Sequence, residues 1–169
     1  EAVRTYMKAL DAAQAAESDV ALARPRWARP LIKAVDVMRA DETPCRSFAA
    51  GESIALRVKF ADWPSEARRQ VMVGVAIKTL TGAFVGSVNM KMTGNTAPLP
   101  DGDAFEVTCE FPSPNIAPGR YSFDIWLGDG IVDFDHVTAA GDFTIEATDY
   151  YGTGVPPYGH EGPMLLSPT

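Results

Sequence analysis

Two kinds of hydrophobic spacing divide this chain. Residues 1–17, EAVRTYMKALDAAQAAE, place Val3, Tyr6, Met7, Leu10 and Ala13 three or four apart, which predicts an α-helix over about 1–22. ARPRWARP, residues 23–30, contains two X-Pro steps and predicts an extended connection whose arginines are solvated, a grip on an anionic partner being the alternative. After Pro30 the period becomes two. Leu31–Met38 reads as a first strand, and Gly51-Glu52 turns the chain into Ile54, Leu56, Val58 and Phe60, which alternate with Ala55, Arg57 and Lys59. Val71, Val73, Val75 and Ile77 alternate with Met72, Gly74, Ala76 and Lys78. A Thr81-Gly82 turn then leads into Ala83–Met92, and Phe105, Val107 and Cys109 alternate with Glu106, Thr108 and Glu110.

The segment NIAPGRYSFDIWLGDG, 115–130, carries the clearest pattern. Pro118-Gly119 suits the centre of a type II turn. Tyr121, Phe123, Ile125 and Leu127 then share one parity, while Ser122, Asp124 and Trp126 share the other. Asp129-Gly130 predicts a tight hairpin, with Ile131 opening the return strand. Phe143 and Ile145 mark the last strand. About eight short strands with no helical pattern between them predict an all-β antiparallel sandwich over 31–149, and a tyrosine at the start of a strand after a long connection matches the tyrosine corner of immunoglobulin-like sandwiches. Residues 150–169 form a glycine-, proline- and tyrosine-rich tail. Within it only Met164–Leu166 suits a short edge strand, in this chain or a partner's.

Charge and chemistry narrow the function. A net charge of -7 argues against nucleic acid, whose phosphates call for a basic surface. No apolar run reaches the roughly 18 residues of a membrane span, so no direct membrane insertion is expected. Two cysteines, Cys45 and Cys109, suit reduced thiols better than a disulfide framework. Two histidines and two scattered cysteines supply no zinc spacing, and no cofactor motif is present. Asp124, Asp129, Asp133 and Asp135 lack the regular calcium loop, and structural roles suit them better. Asp124 with Asp133 or Asp135 is the one pair a glycoside hydrolase could use.

A binding surface is the stronger reading. Met72, Gly74, Ala76 and Lys78 face outward on one strand, and Ser122, Asp124 and Trp126 on another. In this topology the two strands share a sheet. The small residues would leave a trough beside an indole, suited to the C–H face of a sugar. Asn89 and Lys91 extend it, and His136 lies on the return strand nearby, so the candidate glycan contacts are Met72, Lys78, Asn89, Lys91, Ser122, Asp124, Trp126 and His136. Two bland roles stay open: Trp126 half-covered by the first helix or the tail, and the lysines as solvated charge.

FAAGESIALRV at 48–58, VGVAIKTLTGAFVGSVN at 73–89, NIAPGRYSFDIWLGDG at 115–130 and GDFTIEA at 141–147 occur in an order that resembles the C-terminal carbohydrate-binding domain of Wzt-type ATP-binding proteins, which serve ABC transporters exporting O-antigen and related polysaccharides. The leading EAVRTYMKAL resembles the helix that closes the nucleotide-binding domain of such proteins. The resemblance implies a non-catalytic immunoglobulin-like sandwich that recognises a feature of a lipid-linked polysaccharide, its terminus above all, and presents it to the transporter. It implies a cytoplasmic location at the inner membrane, an upstream nucleotide-binding domain, a membrane transporter subunit as partner, and a homodimer; some such domains exchange the terminal strand, for which the tail after Tyr150 is the candidate. A first residue of glutamate fits a piece of a longer protein. A structural immunoglobulin-like module that docks a protein is the alternative, and a glycoside hydrolase is a weaker one.

Overall fold

A computed structural model describes residues 23–65, 70–95, 97, 104–158 and 162–166. The helix expected over 1–22 lies outside the described residues. Among these residues eight strands run in chain order: β1 (Ile32–Met38), β2 (Ser47–Ala49), β3 (Ile54–Ala61), β4 (Met72–Thr79), β5 (Phe84–Asn89), β6 (Ala104–Phe111), β7 (Gly119–Gly128) and β8 (Asp133–Glu146). One helical turn, α1 (Met90–Thr93), follows β5. The strands form a three-stranded sheet, β1-β3-β6, and a five-stranded sheet, β2-β8-β7-β4-β5. All neighbours are antiparallel except β2, which runs parallel to β8. The chain is an all-β, immunoglobulin-like sandwich.

Alternation explains the packing. Leu56, Val58 and Phe60 of β3 meet Val73 and Val75 of β4, Phe123, Ile125 and Leu127 of β7, and Val137, Phe143 and Ile145 of β8 in one core. Phe48, from the short β2, packs edge-on against Phe143 at a centroid distance of 6.2 Å. Tyr121 is buried, and its hydroxyl donates to the Ala117 carbonyl at 2.8 Å, completing the tyrosine corner expected from its position.

Several local expectations give way to the tertiary structure. Gly119, at φ 156°, is already extended and paired with Ile145 as the first residue of β7, so Pro118-Gly119 makes no type II turn. The hairpin after β7 is a four-residue loop rather than a two-residue turn. Asp129 Oδ1 accepts from the amides of Ile131 and Val132, the Asp129 amide donates to the Val132 carbonyl, and Ile131 is left exposed at the tip. The expected return and final strands are one 14-residue strand, β8, bent by a bulge opposite Asp124 in which Ala139 takes a positive φ of 49°. The expected strand 83–92 stops at Asn89, whose side chain accepts from the Met92 amide and so caps α1. Lys91 therefore sits on a helical turn, not on a strand.

Segment 23–30 is tied to the sandwich. Ala23 bridges Thr138, and the Arg29 amide donates to the Phe134 carbonyl at 2.8 Å. Arg24 is not a solvated linker arginine. Its Nε donates to Asp135 Oδ1 at 2.9 Å, and its guanidinium also reaches the Ile32 carbonyl. Asp135 is wholly buried, and its other oxygen accepts from the Ile32 amide at 2.8 Å, so one carboxylate joins β8, β1 and the incoming segment. At the other end of the chain, the Ala117 amide donates to the Pro163 carbonyl and the Leu165 amide to Asn115, which places Met164 beside Ile116 in a single bridge.

Two outcomes follow from this packing. Asp135→Ala leaves the buried Ile32 amide without its acceptor and strips the mostly covered Arg24 guanidinium of its carboxylate, so it should cost about 2–4 kcal/mol. Thermal unfolding should show this as a Tm lowered by roughly 5–12 °C. Neither cysteine forms a disulfide, and burial pushes the Cys109 thiol up to about 11. At pH 8 only about one Cys109 in a thousand is then thiolate, so alkylation of the native protein should be slow there and quicken as the pH climbs toward 11.

Candidate functional site

The outward side chains of the five-stranded sheet line up in three rows, because the register pairs β5 with β4, β4 with β7, and β7 with β8. Asn89, Gly74, Trp126 and His136 form the first row. Ser87, Ala76 and Asp124 form the second, and Phe84, Lys78, Ser122 and Asp142 the third. This is the face expected to carry Met72, Gly74, Ala76 and Lys78 opposite Ser122, Asp124 and Trp126.

A furrow of about 390 Å³ runs along β4 on this face. Gly74 and Ala76 make its floor, Asn89 and Lys91 one wall, and Trp126 the other, while Phe84 and Met72 with Ile131 flank its two ends. Gly74 is what keeps the floor low. A Cβ there would stand 3.4 Å from the Asn89 Cβ and 3.8 Å from the Trp126 Cβ, filling the gap between the two walls. Trp126 is half-buried and outside the core, and the described tail residues 162–165 bridge the 115–117 loop instead of entering the furrow.

The expected contacts thus divide. Met72, Asn89, Lys91 and Trp126 line the furrow together. Lys78, Asp124, Ser122 and His136 do not. Asp124 is only 3% exposed: it accepts from Lys78 Nζ and, at 3.0 Å, from the Ala139 amide in the β8 bulge. It is a satisfied buried carboxylate, not the free hydroxyl acceptor its parity suggested. Lys78 is occupied by the same pair, and Ser122 lies in the next row, between Lys78 and Asp142. His136 stands behind Trp126, its ring stacked on the indole at 4.5 Å and 13°. On its far side Trp27 of the incoming segment stacks in turn, at 6.3 Å and 27°. His136 Nε2 is buried without a hydrogen-bond partner, 4.0 Å from Asp124 Oδ2.

Phe84, Ser87, Ile131 and Asp133 also line the furrow and were not among the expected contacts, although Ser87 shares the parity of Asn89. Phe84 has the opposite parity to Asn89. A bulge between the Ile77 and Lys78 pairings turns it to the same face, where it is 63% exposed. Only the excess of apolar character at an exposed strand start could have signalled it. Ile131 was placed in a strand and instead tips a loop.

The acids do separate tasks. Asp129 folds the hairpin loop, Asp124 pairs with Lys78 on the outer face, and Asp135 points inward to Arg24. Asp124 and Asp135 lie on opposite sides of the sheet, so they cannot flank one glycosidic bond. Among the described residues no three His, Cys, Asp or Glu side chains gather as metal ligands.

Two packed sheets present a shallow, aromatic-walled furrow on an outer face, the form of a binding surface. The chain belongs to the Wzt C-terminal domain family, whose profile matches residues 29–155. That is a non-catalytic domain, and the hydrolase alternative falls with it. The fold is that of the crystal structure of the C-terminal domain of wzt, which superposes with a TM-score of 0.58 at 18% identity over 76% of this chain and 82% of that one. Looser likenesses reach a putative beta-galactosidase from Bacteroides fragilis, with a TM-score of 0.40 at 18% identity over 66% of this chain and 16% of that one. A beta-glucosidase from Listeria innocua in complex with glucose follows, with a TM-score of 0.38 at 14% identity over 66% and 16%. Neither is close enough to carry an argument. No curated protein sequence matches the chain. Family membership associates the domain with carbohydrate binding in polysaccharide export and with an ABC transporter that has a nucleotide-binding domain.

Proposed function

We propose that the furrow along β4 holds part of a polysaccharide, at or near its terminus, and that the domain thereby presents a lipid-linked glycan to the transporter on the cytoplasmic side of the inner membrane. The observation that carries this reading is the low Gly74–Ala76 floor beside the Trp126 indole. Such a trough accepts the apolar face of a sugar ring against the indole, while Asn89, Lys91, Ser87 and Asp133 are placed to meet its hydroxyls. Its size lies at the small end of the range for ligand pockets, about 300–1,000 Å³, which suits a short stretch of chain better than an extended one. A weak hold suffices for such a task. Dissociation constants from about 1 mM to 1 μM need only roughly 4–8 kcal/mol, within reach of one stacked ring and a few hydrogen bonds.

In this reading residues 1–22 close an upstream nucleotide-binding domain, 23–30 connect it, and 31–149 form the glycan-binding sandwich. The active unit is a homodimer, which raises affinity by avidity. The tail supports that part. Met164 and Leu166 are exposed apolar residues, and Met164 lines a second, more apolar groove with Ile77, Val85, Phe111 and Ile116, between the open edges of β5 and β6. Deleting 150–169 should therefore shift the protein from dimer to monomer in size-exclusion chromatography; an unchanged elution volume would remove the tail from the interface.

The furrow itself is tested by calorimetric titration with bacterial oligosaccharides first selected on a glycan array. Phe84→Ala removes an exposed ring, so it should weaken binding about three- to tenfold while Tm stays within about 2 °C. Trp126→Ala should abolish measurable binding, with a stability loss of about 1–2 kcal/mol from its half-buried indole. Binding that survives both substitutions would place the saccharide elsewhere.

A further inference from the structure

We infer that Trp27 and His136 are positioning residues for the furrow, so that the seating of segment 23–30 and the occupancy of the furrow are coupled. This rests on the furrow being the saccharide site. The structural basis is a continuous relay on the outer face: Trp27 stacks on His136, His136 stacks on Trp126, and Trp126 forms the furrow wall above Gly74. Nothing about core packing requires this relay. All three rings stand outside the core, and Trp27 is 56% exposed, so its indole is held against His136 chiefly by the path of its own backbone.

That path is set at both ends. Ala23 bridges Thr138, two residues beyond His136, and the Arg29 amide donates to Phe134, two residues before it. The segment therefore crosses the free edge of β8 directly beside His136. The Arg24–Asp135 pair anchors it there and leaves Trp27 to span the gap. Beyond the two indoles, the only polar group among the described residues that faces its ring is the Asp124 carboxylate, 4.0 Å from Nε2 and too far for a hydrogen bond, so stacking is the main constraint on the orientation of the imidazole. Withdrawing Trp27 frees the imidazole, and the imidazole then no longer buttresses Trp126. By linkage the reverse holds: a sugar ring that presses on Trp126 favours the seated segment. In a chain whose residues 23–30 lead from whatever precedes them, this carries information about furrow occupancy out of the sandwich.

The experiment uses the whole 169-residue chain and has two arms. In the first, without saccharide, the indole N–H resonances of Trp27, Trp63 and Trp126 are followed by heteronuclear NMR. Trp27→Ala should shift the Trp126 indole resonance and the His136 ring resonances while leaving Trp63 in place, and Trp27→Tyr, which keeps a stacking ring, should restore most of the native positions. An unmoved Trp126 resonance in Trp27→Ala overturns the inference whether or not any saccharide binds. In the second, trypsin probes the segment. Arg26-Trp27 is the one arginyl bond within 23–30 that is not followed by proline, so its cleavage reports seating. The tightest binder from the array, at saturation, should slow cleavage there about three- to tenfold, the range set by one aromatic pair, and Trp27→Ala should weaken that saccharide by a similar factor. Cleavage at Arg26 that ignores bound saccharide overturns the coupling. An array on which nothing binds, together with a shifted Trp126 resonance, sinks the furrow's function while leaving the positioning of Trp126 intact.

Discussion

Alternate residues of β7, namely Tyr121, Phe123, Ile125 and Leu127, fill the space between the two sheets, and their burial locks the strand in register with β4 on one side and β8 on the other. A slip of one residue would drive Trp126 and Asp124 into the core and expose Tyr121 together with Phe123, Ile125 and Leu127, at a cost of about 1.5–3 kcal/mol for each of the last three. With that register held, Trp126 must lie across from Gly74, Asp124 from Ala76, and Ser122 from Lys78. The furrow is a consequence of this constraint. Its wall is the outward parity of a strand whose inward parity the core cannot release.

Two buried carboxylates show how the same sheet handles charge on its two sides. Asp135 turns inward, where the Ile32 amide and the Arg24 guanidinium meet it, so the incoming segment is fastened to the corner where β8 and β1 approach. Asp124 turns outward but is covered all the same. Lys78 from the next strand and the Ala139 amide from the β8 bulge both donate to it. Burial of either charge is tolerable only because each has a cation and a backbone donor in place. The aromatic relay from Trp27 through His136 to Trp126 lies between these two anchors, which is why the segment and the furrow share a wall.

How much of this could be read in advance depended on the range of the interaction. The strand parities of β3, β4 and β7 were legible because period-two burial is local and leaves a direct trace in residue type. The tyrosine corner was legible for the same reason. The bulges were not. One puts Phe84 on the furrow face against its parity, and another brings the Ala139 amide to Asp124, and both arise from matching two strands of unequal path. The short β2 was missed because its three residues, Ser47–Ala49, are extended only by pairing with β8.

Half of the candidate site was foreseen on the same terms. Met72, Asn89 and Trp126 reach the furrow because parity alone decides their face, whereas Lys91 reaches it from a helical turn that nothing in the alternation announced. Residue order determined the class of fold, the inward and outward sets of side chains, and the small residues that leave a trough. Only the tertiary structure decided which outward groups stay available. Asp124 and Lys78 neutralise each other, and His136 is held behind an indole by a segment more than a hundred residues earlier in the chain. Parity is a property of neighbours along the backbone, while availability depends on what a distant stretch places within bonding distance, and no local pattern records that.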